Sequence, residues 1–94
     1  PFFLLPTFSI QQNAPLFIKI RISSPMYNNL QVYYTTKDTP YFNESQTAHR
    51  TLHKGLNEIV IALEDINDTN QTNLRFDLGS ATGEFTLHSI EVRQ

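Results

Sequence analysis

The sequence predicts an all-β sandwich of antiparallel strands, and three observations carry that expectation. Apolar residues recur at every second position along most of the chain, the spacing of a strand with one buried face. Apolar spacing of the helical kind is almost absent. Clusters of Pro, Gly, Asn, Asp and Ser separate the alternating runs at short intervals, as they do between the strands of a sandwich. The length of 94 residues suits two packed layers around a modest core, so residues 1–94 are expected to form a single domain.

The elements follow in order. "PFFLLP" opens the chain as a first strand or as a segment emerging from a preceding module. It is far short of the roughly 20 apolar residues that span a bilayer, and it lacks the basic start of a signal peptide. No membrane insertion by this segment is expected. A start at Pro1 rather than Met is read as the edge of a fragment of a longer protein. "LFIKIRIS" sets Ile18, Ile20 and Ile22 on one face against Lys19 and Arg21. "NLQVYYTT" sets Leu30, Val32 and Tyr34 against Gln31, Tyr33 and Thr35. "YFNESQTAHRTLH" alternates weakly and reads as a loop, an edge strand, or both. "NEIVIALE" carries Ile59, Ile61 and Leu63 on one face with Val60 and Ala62 on the other, which predicts a central strand.

"LRFDL" turns Leu74, Phe76 and Leu78 inward and Arg75 and Asp77 outward. In the last run, Phe85 and Leu87 share one parity while Ile90 and Val92 share the other. One extra residue near His88–Ser89, a β-bulge, would bring all four to the core face. Pro15, Pro25 and Pro40 fall at strand borders, where a missing N–H does little harm. The total is about seven or eight strands.

Composition narrows the function. Seven basic and nine acidic residues leave a net charge of -2, and the basic residues are scattered. Nucleic-acid binders carry clustered basic patches, so that class is excluded. With no cysteine there is neither a disulfide framework nor a thiolate metal site. No G-x-S-x-G elbow is present, and no nucleophile–base pairing is visible, so the domain itself is not expected to be an enzyme. His49 and His53 stand four apart, a ligand spacing on a helix, but on a strand their Cβ atoms lie about 13 Å apart. They are expected to be solvated, and no cofactor is implied.

Four motifs occur in a familiar order. They are Tyr33–Tyr34, then Phe42–Asn43–Glu44, then Lys54–Gly55 with Asn57, then the closing hairpin from Leu74 to Val92. Together they resemble a β-sandwich accessory module appended to bacterial glycosyltransferases and membrane proteins that assemble surface polysaccharides such as O-antigen and capsule. Asn43 stands where that pattern has Ser, and Leu78 where Pro is common. The resemblance implies a jelly-roll-like fold similar to carbohydrate-binding modules, and no catalytic residue. It implies a bacterial protein held at the membrane through its parent, which would be a glycosyltransferase or an assembly protein. The partners implied are polysaccharide or the parent's own catalytic or membrane domain. The alternative is a structural module that orients its neighbour without touching glycan.

Within that reading, aromatic rings are the candidate sugar platforms, because a flat ring accepts the C–H face of a pyranose. Tyr33 lies on the outward parity of its strand, while Tyr41, Phe42 and Tyr27 lie in loops. Ordinary sheet packing or a covered edge is the simpler expectation for such rings. Asp77 and Glu84 flank the Gly79–Gly83 loop and are the candidate ligands of a calcium ion. The simpler expectation is that Asp77 accepts hydrogen bonds from loop N–H groups. Asn43, Asn67 and Asn70 each begin an N-x-[ST] acceptor sequence, and such matches also arise by chance in Asn- and Thr-rich turns.

Overall fold

The computed structural model describes residues 2–6, 8–11, 14–64, 71–79 and 83–94. The strands among them are β1 Phe2–Leu4, β2 Phe8–Ser9, β3 Leu16–Ser24, β4 Asn28–Tyr34, β5 Thr47–Leu52, β6 Gly55–Leu63, β7 Gln71–Thr72, β8 Leu74–Leu78 and β9 Thr86–Arg93. One sheet has four strands in the order β1-β8-β4-β5, the other has three in the order β6-β3-β9, and β2 with β7 forms a short pair. Each of these strand pairs runs antiparallel.

Alternation builds the core. Along β3 the residues Leu16, Ile18, Ile20 and Ile22 are buried, while Phe17, Lys19 and Arg21 between them are exposed. The inward rows of β3 and β6 join Leu30, Val32 and Tyr34 of β4, Leu52 of β5, and Leu74 and Phe76 of β8 in one cluster. The chain is therefore an all-β sandwich. Burying each large side chain contributes about 1.5–3 kcal/mol, and the β-branched isoleucines, already restricted at χ1, pack well on the pleated surface. The opening segment is a strand: Phe3 of β1 stacks on Phe76 with ring centroids 4.9 Å apart and planes 9° from parallel.

The pairing is nested. The β1–β2 segment pairs with β7–β8, β3 pairs with β6, and β4 pairs with β5. β9 then adds to the free side of β3. The weakly alternating stretch is both loop and edge: residues 41–46 precede β5, which closes one side of the four-stranded sheet.

Two side chains fasten the crossings between sheets. Ser24 Oγ donates to Met26 O at 2.5 Å, bracing the β3–β4 turn. Asn57 is buried and braces the β5–β6 crossing. Its Oδ1 accepts from His53 N at 2.8 Å, and its Nδ2 donates to His53 O at 2.9 Å and Gly55 O at 3.0 Å, with a longer contact to Ile22 O at 3.3 Å. Gly55 sits at φ 99°, in the left-handed region that only glycine enters freely, so the crossing turns within two residues of β5.

The bulge falls where the parity break predicts. Arg21 faces Ser89, but Ile22 faces Leu87, so His88 is the unpaired extra residue. Past it, Ile90 and Val92 pair with Ile20 and Ile18 and pack against the core, as does Phe85. Leu87 departs from the expectation. It lies opposite Ile22 yet remains 44% exposed, because β9 is an edge strand with no neighbour beyond it among the described residues. β6 also departs: it is an edge strand rather than a central one. The apolar Val60 and Ala62 that prompted the central reading lie exposed, opposite Lys19 and Phe17.

Candidate functional site

Antiparallel pairing carries outward residues of neighbouring strands into rows, since directly opposed residues share a face. Two rows cross the four-stranded sheet on its outer side. One runs Phe2, Asp77, Gln31, His49, and the next runs Leu4, Arg75, Tyr33, Thr47. Two side chains from the 41–46 loop, Phe42 and Glu44, reach onto this face.

Arg75 is its centre. Its Nε and Nη2 donate to the two carboxylate oxygens of Asp77 at 2.8 and 2.7 Å. The guanidinium carbon lies 5.0, 4.7 and 5.7 Å from the ring centres of Phe2, Tyr33 and Phe42. The arginine is thus held by a bidentate acid on one side and three aromatic faces on the others, a combination of charge-assisted and cation–π attraction. The Asp77 hydrogen bonds hold Arg75 more firmly protonated, against the opposing effect of burial. Glu44 is the second anchor: it accepts from Tyr33 Oη at 2.8 Å and from Gln31 Nε2 at 3.1 Å. Gln46 pins the loop base, donating to Tyr34 O at 2.9 Å and accepting from Thr36 Oγ1 at 3.0 Å.

This arrangement sorts the residues read from the sequence. Tyr33 is on the outward parity as expected, but it is only 8% exposed, because Phe42 meets it edge-on at 6.4 Å and Arg75 covers its face. It is the floor of the site and not a free platform. Phe42 is half-buried, and Tyr41 beside it stands 64% exposed. Asp77 gives its carboxylate to Arg75, the N–H of Gly79 goes to Asn29 O, and residues 80–82 of the loop lie outside the described residues. Glu84 lies exposed, and no three metal-ligating side chains converge among the described residues. His49 is exposed on the face row, while His53 lies beyond β5 with its ring edge-on to Tyr27 at 5.9 Å. Asn43 closes its own turn, its Oδ1 accepting from Ser45 N at 2.8 Å and from Ser45 Oγ. Asn67 and Asn70 lie outside the described residues. Arg75 and Glu44 are the site residues that sequence reasoning missed; the available signal was the shared outward parity of Arg75 and Tyr33.

The Tyr33 phenol is raised above its ordinary value of 10.0, first by donating its hydrogen bond to Glu44, then by burial and by the charges of Glu44 and Asp77, with Arg75 opposing. The native state therefore holds this proton more tightly than the unfolded chain. The stabilisation is fully present below pH about 10 and is lost as pH rises through the raised native value. The unfolding free energy of Tyr33→Phe should accordingly fall less steeply than that of the native protein between about pH 9 and 11. Parallel slopes in denaturant titrations at a series of pH values would remove this account.

On the opposite sheet, a shallow depression is lined by Phe17, Lys19, Val60, Glu91 and Arg93. It offers apolar surface with Lys19 and a long Arg93–Glu91 ion pair at 3.8 Å. No protein-family model matches the chain, and no curated protein or solved structure matches it either.

Proposed function

We propose that this sandwich is a non-catalytic, carbohydrate-binding-like accessory domain with jelly-roll-like topology, akin to the modules carried by bacterial polysaccharide-assembly proteins. The nested pairing of β1–β2 with β7–β8, β3 with β6 and β4 with β5 supports the jelly-roll reading, since that fold is an antiparallel ribbon wrapped over itself. The observation that carries the function is the Arg75 face. It holds planar donors and acceptors on a sheet, beneath the 41–46 loop in which Tyr41 is exposed. Sugar hydroxyls pair with such groups, and a ring at the margin supplies the stacking surface. Tyr41 and Phe42 are the ring contacts in this reading, with Tyr33 supporting them from below.

An open face on a small domain gives weak binding, with dissociation constants in the micromolar to millimolar range, about 4 to 8 kcal/mol. NMR titration with oligosaccharide fragments of bacterial surface polymers should shift the amides of Gln31, Tyr41, Phe42 and Arg75. Tyr41→Ala should weaken that binding roughly tenfold, the loss of a stacked ring of 1–1.5 kcal/mol. Shifts confined to the three-stranded sheet would discard this site.

One observation favours the second reading, a structural module that orients a neighbour. Phe17 and Val60 are 42% and 59% exposed as diagonal neighbours lining one depression on the outer face of the three-stranded sheet. Apolar residues grouped on a sheet face suit contact with another protein domain. Absence of binding to any glycan would favour this alternative.

A further inference from the structure

We propose that the Arg75 face selects neutral, hydroxyl-rich glycans and discriminates against acidic ones such as uronate polymers, because Asp77 already occupies its guanidinium and Glu44 adds a second carboxylate. This inference rests on the glycan-binding reading and names the ligand class within it.

The charges on the face decide the sign. Among its described residues, Arg75 is the one fixed cation, and Asp77 and Glu44 are both anions. Asp77 takes two of the five N–H donors of the guanidinium. Glu44 is bonded to two neutral donors, the Tyr33 hydroxyl and the Gln31 amide, and to no cation among the described residues. The Tyr33 phenol is raised first by its hydrogen bond to Glu44, then by burial and by the charges of both carboxylates, with the arginine opposing.

The hydrogen-bonding roles point the same way. The remaining N–H groups of Arg75 donate, and the carboxylates of Glu44 and Asp77 accept. A pair of sugar hydroxyls can do both, accepting from the guanidinium and donating to a carboxylate without disturbing either. A uronate carboxylate can only accept. To reach the N–H groups of Arg75 that Asp77 leaves free, it would have to bring a third carboxylate beside Asp77 and Glu44, with a single guanidinium to balance all three. The face is thus already furnished with the carboxylate that an acidic ligand would bring.

The test compares matched oligomers that differ only at C6, namely galactose with galacturonate, mannose with mannuronate and glucose with glucuronate, titrated into the 94-residue chain. For whichever pair binds, the neutral member should bind about tenfold more tightly at low salt, and the ratio should shrink as ionic strength rises. Glu44→Gln keeps an acceptor for the Tyr33 hydroxyl while removing the charge, and should narrow the ratio severalfold. Asp77→Asn leaves Arg75 without its counter-charge and should reverse the preference toward the acidic member. Tighter binding of the acidic member by the native chain overturns the inference while the glycan reading stands. A ratio unmoved by both variants overturns it equally. Failure of every pair to bind removes the glycan reading beneath it.

Discussion

Phe76→Ala should destabilise the domain by roughly 3–5 kcal/mol, the largest single loss available in this core. The side chain is 0% exposed, on a strand flanked by β1 on one side and β4 on the other. Its register neighbours are Phe3 and Val32, and the Phe3 ring stacks against one face of it. Truncation removes the transfer free energy of the ring and leaves a void between two sheets that cannot both close in. It also strips Phe3 of its partner, so the short β1 strand should loosen along with the core. Phe76→Leu, which keeps most of the volume, should lose less than half as much. Urea denaturation measures both through the midpoint at constant slope. A loss below about 1 kcal/mol for the alanine variant would mean that the inward phase of β8 is wrong.

Asn57→Ala should cost about 2–3 kcal/mol, although it deletes only a small polar group. The amide bonds both the N–H and the carbonyl of His53, and the carbonyl of Gly55. Each net bond is worth about 0.5–1.5 kcal/mol, and backbone groups left without a partner add to that. For a domain of this size the midpoint of thermal unfolding should fall by about 8 °C or more. Asn57→Asp separates hydrogen bonding from space filling. It preserves the acceptor for His53 N but turns a carboxylate oxygen toward two carbonyls. At neutral pH it should be at least as damaging as alanine, and it should recover on acidification as the acid becomes a donor. An aspartate variant as stable as the native protein at neutral pH would show that the donor bonds of Asn57 contribute nothing.

The alternation of the chain made most of the fold legible. Ile18, Ile20 and Ile22, the inward residues of β4 and β8, and the bulge at His88 all follow from counting parity, since parity is a local property of a strand. Whether a strand is central or at an edge is not local. Val60 made β6 look two-sided, but the number of its neighbours depends on how distant strands pair. The same limit governs the site. Parity placed Tyr33 and Arg75 on the outer face. It said nothing of what lies above that face, and the covering groups, Phe42 and Glu44, come from a loop whose path is set by Gln46 and its contacts with Tyr34 and Thr36. Asp77 was visible as an unusual acid, but its partner proved to be two residues away on its own strand, where side chains share a side and a long arginine can fold back.

The nested pairing also imposes a sequence of events on a growing or refolding chain. The β4–β5 pair can close early, because its two strands are neighbours in the chain. β1 has no sheet neighbour except β8, so Phe2 must wait for Asp77, and Phe17 of β3 completes its outer pairing only when Arg93 arrives. Each successive layer closes a longer loop than the one inside it, and the entropy of that closure must be met before the new contacts repay it. Until the last layer is seated, the isoleucines of β3 stand with one flank open. The expected order is therefore from the middle of the ribbon outward, and in pulsed hydrogen exchange the amides of β4 and β5 should gain protection before those of β1 and β9.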